Sequence, residues 1–215
     1  MSHAKSDLPF SFAQSKFVRA GLPMAIAALV VFGHGGARAE SNAVSVGNAV
    51  AHLDFKIIVP RVLFLQVGTG TALANNTTVD LITFTVPAAN LGDGTIISGT
   101  GGDLTAGVVT AKVLGNNGNV TLTSATTGAL LSGTDQISFA KISTTTATLT
   151  SATALPHPTL QDTGGGSVTV TANAQKIANQ DARWRYRYLN DIPVAPGTYG
   201  GTVTNGYATY TASMP

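Results

Sequence analysis

The chain has 215 residues, with 12 Lys and Arg against 10 Asp and Glu, and it contains no cysteine. The missing cysteine excludes disulfide frameworks and metal sites built on thiolates. Four of the basic and one of the acidic residues precede position 40, so residues 40–215 carry eight basic and nine acidic groups. A net charge near −1 gives no overall basic field, which argues against nucleic acid or an acidic membrane as a partner.

The first 39 residues have the layout of a secretory signal peptide. Lys5, Lys16 and Arg19 precede an apolar run at residues 24–32, and Ala37-Arg38-Ala39 places small residues where a signal peptidase reads them. A membrane anchor is the alternative, but an apolar run of about nine residues is far shorter than the roughly 20 that a spanning helix needs. We therefore predict a signal peptide at 1–39, with no transmembrane span in the mature chain.

The remaining residues, 40–215, are rich in Thr, Ala, Gly and Val and poor in charge. This composition favours strands over disorder, because disordered chains are usually charged and poor in β-branched residues. The length is sufficient for one substantial core. We predict a single domain at 40–215 that begins with an extended N-terminal arm at 41–52.

The first part of this domain contains the strongest apolar pattern. Residues 41–52 alternate weakly, as a first strand or an arm would. Residues 53–67, LDFKIIVPRVLFLQV, predict two strands, or one strand kinked by Pro60 at a sheet edge. Residues 79–86 predict a strand with Ile82, Phe84 and Val86 facing inward, and a glycine-rich connection with little to bury follows at 90–107.

The middle of the chain predicts further short strands. Residues 108–114 and 120–124 flank Gly115-Asn116-Asn117-Gly118, a good signal for a hairpin. Residues 136–142 and 167–172 predict strands, whereas residues 144–152 suit either a strand or a loop. Residues 174–181 are the one plausible place for a helical turn.

The most distinctive stretch is residues 183–188, where three arginines alternate with three aromatic residues. In a strand this places Trp184, Tyr186 and Tyr188 on one face and Arg183, Arg185 and Arg187 on the other. If the arginine face is exposed, it is a candidate surface for binding an acidic glycan or an anionic surface. The simpler interpretation is that the rings fill the core while the arginines form the solvated face of an ordinary strand.

The chain closes with a second extended run at 198–204, and Asn205-Gly206 predicts a two-residue hairpin turn into residues 207–212. About nine to eleven short strands, joined by Gly, Asn and Pro turns, indicate an all-β fold. We predict an immunoglobulin-like antiparallel β-sandwich.

Residues suited to catalysis or metal binding are few. His52 and His157 have no partner at metal-ligand spacing, and Asp93 and Asp103 supply too few oxygens for a Ca²⁺ site. We predict no enzymatic activity, no catalytic or metal-binding residue and no cofactor.

Strand-like segments at both ends of the domain suggest self-association. An extended segment can complete a neighbour's sheet through main-chain hydrogen bonds and alternating side-chain pockets. The candidate donor strand is residues 44–50, with Val44, Val46 and Val50 on one face.

Two segments resemble bacterial surface β-sandwich proteins. IIVPRVLFL, at residues 57–65, resembles their opening I-x-V-P-x-x-L-x-F pattern, and PVAPGTYGGTVT, at residues 193–204, is similar to the closing hairpin of fimbrial (pilin-like) and WxL-like proteins. The resemblance implies an immunoglobulin-like sandwich at the cell surface. No binding residue is carried over, because the cysteine pair and the Trp-x-Leu signature of such proteins are missing.

The resemblance and the residue patterns together lead to two functional expectations. The first is a fimbrial or pilin-like structural subunit of a Gram-negative surface, or of its periplasm, with other copies or other surface subunits as partners and a periplasmic chaperone as a further candidate. The second is a surface or periplasmic carbohydrate-binding or adhesion module that uses Trp184, Tyr186 or Arg185.

Overall fold

The computed structural model describes residues 41–201 and 206–215. The predicted signal peptide at 1–39 and the predicted turn residue Asn205 lie outside the described residues. The chain divides into two compact units, and the boundary in the sequence lies between Ile57 and Ile58. In the first unit, the described residues 41–57 form neither strand nor helix.

The second unit is built from strands, which confirms the all-β prediction. Its twelve described strands are β1 (Leu63–Val67), β2 (Ile82–Thr83), β3 (Ile97–Ser98), β4 (Thr100–Gly101), β5 (Val108–Gly115), β6 (Val120–Ala125), β7 (Leu130–Ser132), β8 (Asp135–Ile137), β9 (Ile142–Ala147), β10 (Ser167–Val170), β11 (Ala178–Tyr188) and β12 (Thr209–Ser213). Two single 3₁₀ turns lie at Ala88–Asn90 and Phe139–Lys141.

Two antiparallel sheets form the body of this unit. The larger has the order β1-β5-β11-β3, and β9 also pairs with β11. Residues 183–185 of β11 pair with both β5 and β9, so β11 lies between these two strands. The smaller sheet has the order β10-β6-β12, and β2–β4 and β7–β8 form two further short pairs.

The core lies between the inward faces of the two sheets. Val113 of β5, Leu122 of β6 and Trp184 of β11 are completely buried in one hydrophobic cluster. Each such side chain contributes about 1.5–3 kcal/mol through burial. The indole Nε1–H of Trp184 donates a 2.9 Å hydrogen bond to the Leu155 carbonyl, which satisfies the one polar atom of that ring.

The alternation predicted in β11 is confirmed. Trp184, Tyr186 and Tyr188 are buried, whereas Arg183 and Arg185 are exposed on the opposite face. Bulky rings bury far more area than a solvated guanidinium can, so the register of this strand is fixed by its sequence.

The predicted hairpin of β5 and β6 is wrong. β5 pairs with β1 and β11, whereas β6 pairs with β10 and β12, so residues 116–119 connect the two sheets. Both strands present completely buried valines, Val113 and Val120, to the same core cluster. They face each other across the core because each has one strongly apolar face to bury.

Three other local predictions need correction. Strand structure in residues 53–67 is confined to β1, and residues 53–62 form no strand. Residues 174–181 contain no helix, because a tight turn at 174–175 leads directly into β11. The described part of the predicted run at 198–204, residues 198–201, forms no strand, and β12 pairs with β6.

The glycine-rich segment 90–107, predicted to be a connection with little to bury, contributes two strands and a buried side chain. It contains β3 and β4, and Ile97 of β3 is buried beside Tyr188 in a second hydrophobic cluster. Residues 82–86 keep the predicted alternation, with Ile82, Phe84 and Val86 the less exposed side chains, but only Ile82–Thr83 form a strand.

Candidate functional site

The two edge strands β1 and β12 lie beside each other at one side of the two sheets, and we call this side the open seam. Among the described residues, β1 pairs only with β5 and β12 pairs only with β6. The outward edges of both strands therefore present main-chain groups that no neighbouring strand satisfies.

The core is incompletely covered along the open seam. The register of each pair shows which side chains face inward: Leu65 of β1 lies opposite Val113, and Ala212 of β12 lies opposite Leu122. Val113 and Leu122 are completely buried, but the inward side chains of β1 and β12 are only partly so, and Leu63 is 37% exposed. These inward side chains are Leu63, Leu65 and Val67 of β1 and Tyr210 and Ala212 of β12.

An exposed alternating apolar segment precedes β1. Leu53, Phe55, Ile57 and Val59 are large apolar residues at every second position, and Phe55 and Ile57 are 85% and 87% exposed. The residues between them are the charged Asp54 and Lys56 and the apolar Ile58, which is also exposed. This is the pattern of a strand with one face to bury, but the segment belongs to no sheet.

The predicted donor residues Val44, Val46 and Val50 are also exposed, and they too lie outside any strand. Their side chains are smaller than those of Leu53, Phe55 and Ile57. Residues 53–59 therefore carry the larger exposed apolar side chains of the two segments.

The chain between that segment and β1 is held by Asn116. The side-chain amide of Asn116 donates to the Pro60 carbonyl at 2.8 Å, and its Oδ1 accepts from the Val62 amide at 2.8 Å. The Asn116 amide also donates to the Val62 carbonyl at 3.3 Å. These bonds fix residues 60–62 on the loop that joins the two sheets.

Behind the open seam, a histidine and two tyrosines form a hydrogen-bonded cluster. The Nε2 atom of His157 lies 3.1 Å from the hydroxyl oxygen of Tyr186 and 2.8 Å from that of Tyr210, and the two hydroxyl oxygens are 3.0 Å apart. The His157 ring also makes an edge contact with Trp184, with ring centroids 4.6 Å apart. Burial lowers the pKa of His157 to about 4 and raises that of Tyr210 to about 12.

This cluster is suited to structure rather than to acid–base chemistry. At neutral pH the imidazole is uncharged and its Nε2 is occupied by tyrosine hydroxyls. A groove of about 440 Å³ passes His157 between β9 and residues 156–160, at the opposite edge of the larger sheet from β1. Within the described part of the chain, no group of three or more His, Asp or Glu side chains is placed to hold a metal ion.

The arginines of β11 form an exposed row, which we call the arginine stripe (Arg183, Arg185 and Arg187). Arg183 and Arg185 are exposed and Arg187 is partly so. The guanidinium of Arg183 donates to the Thr148 carbonyl at 3.4 Å, and none of the three arginines lies within ion-pair distance of a described carboxylate. The predicted glycan-binding rings Trp184 and Tyr186 are buried on the opposite face.

The candidate calcium ligands are turn aspartates. One carboxylate oxygen of Asp93 accepts from the Thr95 amide at 2.7 Å, and one of Asp103 accepts from the Thr110 amide at 2.8 Å. Asp93 satisfies a backbone donor of its own turn, as aspartates in turns commonly do, and Asp103 satisfies one in the neighbouring strand β5. No helix in the described part of the chain is long and apolar enough to cross a membrane.

Comparison of the chain with protein-family models, with curated proteins and with solved structures finds no match in any of the three.

Proposed function

We propose that this protein is an exported, non-enzymatic structural subunit that assembles with further copies of itself by β-strand addition. The observation that carries the proposal is a pair of complementary features: an open seam with a partly uncovered core, and an exposed segment with alternating large apolar side chains. Each feature leaves apolar surface in water, and each would cover the other.

The donor segment is residues 53–59 of a neighbouring molecule. Seven residues in extended form span about 23 Å, and the five residues of β12 span about 17 Å, so the donor is long enough to run along this strand. Placed along the outward edge of β12, it pairs its main chain with that free edge. Its side chains Leu53, Phe55, Ile57 and Val59 then enter the core beside Leu65 and Tyr210.

The fold is proposed to be an immunoglobulin-like sandwich that lacks one strand until it assembles. Residues 1–39 act as a signal peptide that directs it to the periplasm or the cell surface, as in a fimbrial subunit of a Gram-negative bacterium. An open seam is an aggregation hazard before assembly, because it combines free edges with apolar surface. A periplasmic chaperone that covers the seam temporarily is therefore a second proposed partner.

The alternative function, a carbohydrate-binding module built on aromatic stacking, has less support. Stacking on a sugar requires an exposed ring, and the ring of Trp184 is completely buried while that of Tyr186 is only 7% exposed. Of the residues considered for carbohydrate binding, the arginines of the stripe are the ones whose side chains reach solvent.

The oligomeric state of the mature protein tests the assembly. Sedimentation velocity over a range of concentrations is expected to show wild-type oligomers and a monomeric Phe55→Asp/Ile57→Asp variant. The matched control is Val44→Asp/Val46→Asp, which adds the same charge to the same exposed region and is expected to assemble. Loss of assembly in the control alone would assign the donor strand to residues 44–50 instead.

A peptide experiment shows whether the variant stays monomeric because it lacks a donor strand or because of its added charges. A synthetic peptide of residues 53–61, LDFKIIVPR, is expected to bind the monomeric variant and raise its melting temperature, because a ligand that binds only the folded state stabilises it. A peptide with Asp at positions 55 and 57 should have no effect. A wild-type protein that stays monomeric at every concentration, and whose melting temperature the wild-type peptide does not change, contradicts the proposal.

A further inference from the structure

The charges of the described residues are balanced in number but not in position. The described residues include eight basic side chains and eight aspartates. Three of the eight basic groups belong to the arginine stripe and lie on one strand. A fourth, Lys112, lies on the same outward face, one strand away, opposite Asp181. A nearly neutral domain thus carries one concentrated cationic row.

Most aspartates make other contacts, although Asp181 lies on the same face as the arginine stripe, two residues before Arg183. Five of them accept hydrogen bonds from backbone amides, and a sixth, Asp191, pairs with Lys141 at 2.8 Å. The five are Asp80, Asp93, Asp103, Asp162 and Asp181. Since none of these bonds involves the arginine stripe, the positive charge of the stripe is not compensated by a bonded carboxylate.

The spacing of the stripe suits a linear ligand with repeated anionic groups. Alternate residues of a strand are about 6.7 Å apart, so the three guanidinium groups span about 13 Å in a line. Hydroxyl side chains lie directly across from them on the neighbouring strands: Thr110 opposite Arg183, Thr145 opposite Arg185, and Ser143 opposite Arg187. Guanidinium groups bind carboxylate and sulfate through paired hydrogen bonds, and hydroxyls complement the hydroxyls of a sugar.

We propose that the arginine stripe binds a linear acidic polysaccharide through the carboxylate or sulfate groups of successive sugars. Single-stranded nucleic acid fits less well, because its binding sites stack bases on exposed aromatic rings, and the rings of β11 are buried on the other face. A membrane surface fits less well, because three neighbours of the arginines carry hydroxyls, and their one large apolar neighbour, Val108, is buried and cannot enter lipid. The inference does not depend on self-association, since the stripe and the open seam involve different strand faces.

Affinity electrophoresis of the mature protein tests the site, with gels containing polygalacturonate, dextran sulfate or neutral dextran. The two acidic polymers distinguish carboxylate from sulfate as the group bound, and neutral dextran measures any binding that needs no charge. We expect retardation by at least one acidic polymer, not by dextran, and a loss of retardation as salt is raised, because the contacts are ionic.

Two charge-matched variants locate the binding. Arg183→Gln/Arg185→Gln is expected to weaken binding about tenfold or more, because it removes two paired charge-assisted contacts, each among the stronger hydrogen bonds of proteins. Arg61→Gln/Lys176→Gln removes the same charge away from the stripe and outside residues 53–59, and is expected to keep binding within about twofold. Near-ultraviolet circular dichroism and sedimentation of each variant establish that fold and assembly state are unchanged.

Three results would overturn the inference. The first is equal retardation by dextran and the acidic polymers. The second is an equal loss of binding in the two variants, which would show that binding to the acidic polymers depends only on net charge. The third is tighter binding of the wild type to single-stranded DNA or to anionic lipid vesicles than to both acidic polysaccharides.

Discussion

The Nε2 atom of His157 lies 2.8 Å from the hydroxyl oxygen of Tyr210, and this contact joins the loop at residues 156–158 to the edge strand β12. The imidazole has one lone pair at Nε2, so it accepts a hydrogen bond there only while it is uncharged. Protonation of His157 turns this acceptor into a donor and places a charge in a largely buried cluster.

The stability of the protein is therefore expected to depend on pH in a defined window. Burial lowers the pKa of His157 from about 6.5 to about 4, so the unfolded chain binds a proton more readily than the folded one between these values. The free energy of unfolding falls as the pH drops from 6.5 to 4, by up to about 3 kcal/mol. Urea denaturation across this range measures the effect.

A histidine variant assigns that pH dependence. His157→Gln is expected to abolish the slope between pH 6.5 and 4, because glutamine does not titrate. An unaltered slope in His157→Gln would contradict the role of this residue.

The two buried tyrosines of β11 should respond oppositely to loss of their hydroxyl groups. Tyr186→Phe removes a hydroxyl bonded to His157 and Tyr210 and is expected to cost about 1 kcal/mol. The hydroxyl of Tyr188 is buried with no hydrogen-bond partner in the described structure, so Tyr188→Phe is expected to be neutral or to stabilise by about 1 kcal/mol. Urea unfolding of both variants at pH 7 tests the contrast, and an equal loss in both would refute it.

Asp181 is expected to stabilise the domain at all but acidic pH. Burial opposes its ionisation, but hydrogen bonds from the side chains and backbone amides of Thr150 and Ser151 outweigh burial and lower its pKa to about 2. The stabilisation is present above pH 4 and is lost as the pH falls toward 2.

Substitution tests this carboxylate directly. At pH 7, Asp181→Asn is expected to cost about 2–3 kcal/mol, because the pKa difference from the unfolded value is lost with the charge. Asp135→Asn, at an exposed position of β8, serves as the control and is expected to change the free energy of unfolding by less than about 0.5 kcal/mol. Similar values for the two variants would contradict this account.

Asn116 is expected to order the chain in front of β1. Asn116→Ala removes the side-chain bonds to the Pro60 carbonyl and the Val62 amide, so the Val62 amide should exchange its hydrogen faster and the protein should lose about 1 kcal/mol. Hydrogen exchange by mass spectrometry measures the local effect. The control Asn179→Ala, at an exposed position of β11, should leave exchange at Val62 unchanged, and unchanged exchange in both variants would show that Asn116 does not hold this segment.

The parts of the fold that the sequence predicts well are those with a strong local contrast. The alternation of rings and guanidinium groups in β11 allows one register only, because the other register would bury three charges. Asp93 and Asp103, which supply too few oxygens for a Ca²⁺ site, bond to amides two and seven residues away.

The pairing of strands was harder to predict. The runs that form β5 and β6 look like a hairpin, but a loop of Gly and Asn residues serves equally well to connect two strands that face each other across a core. The open seam has no local signal either, because it follows from the order of strands in both sheets. Residues 53–59 also show that a local pattern is not sufficient to predict a strand. Their alternation indicates a strand, but a strand forms only where a partner edge is available.

The backbone oxygen of Pro215 accepts hydrogen bonds from the side chains of both Arg61 and Asn117, so residue 215 lies beside the point where the chain enters β1. Residues 60 and 215 are therefore close together. Joining residue 215 to residue 60 through a short linker, and opening new termini at the exposed Gly133-Thr134 turn, would give a circularly permuted protein with every sheet retained.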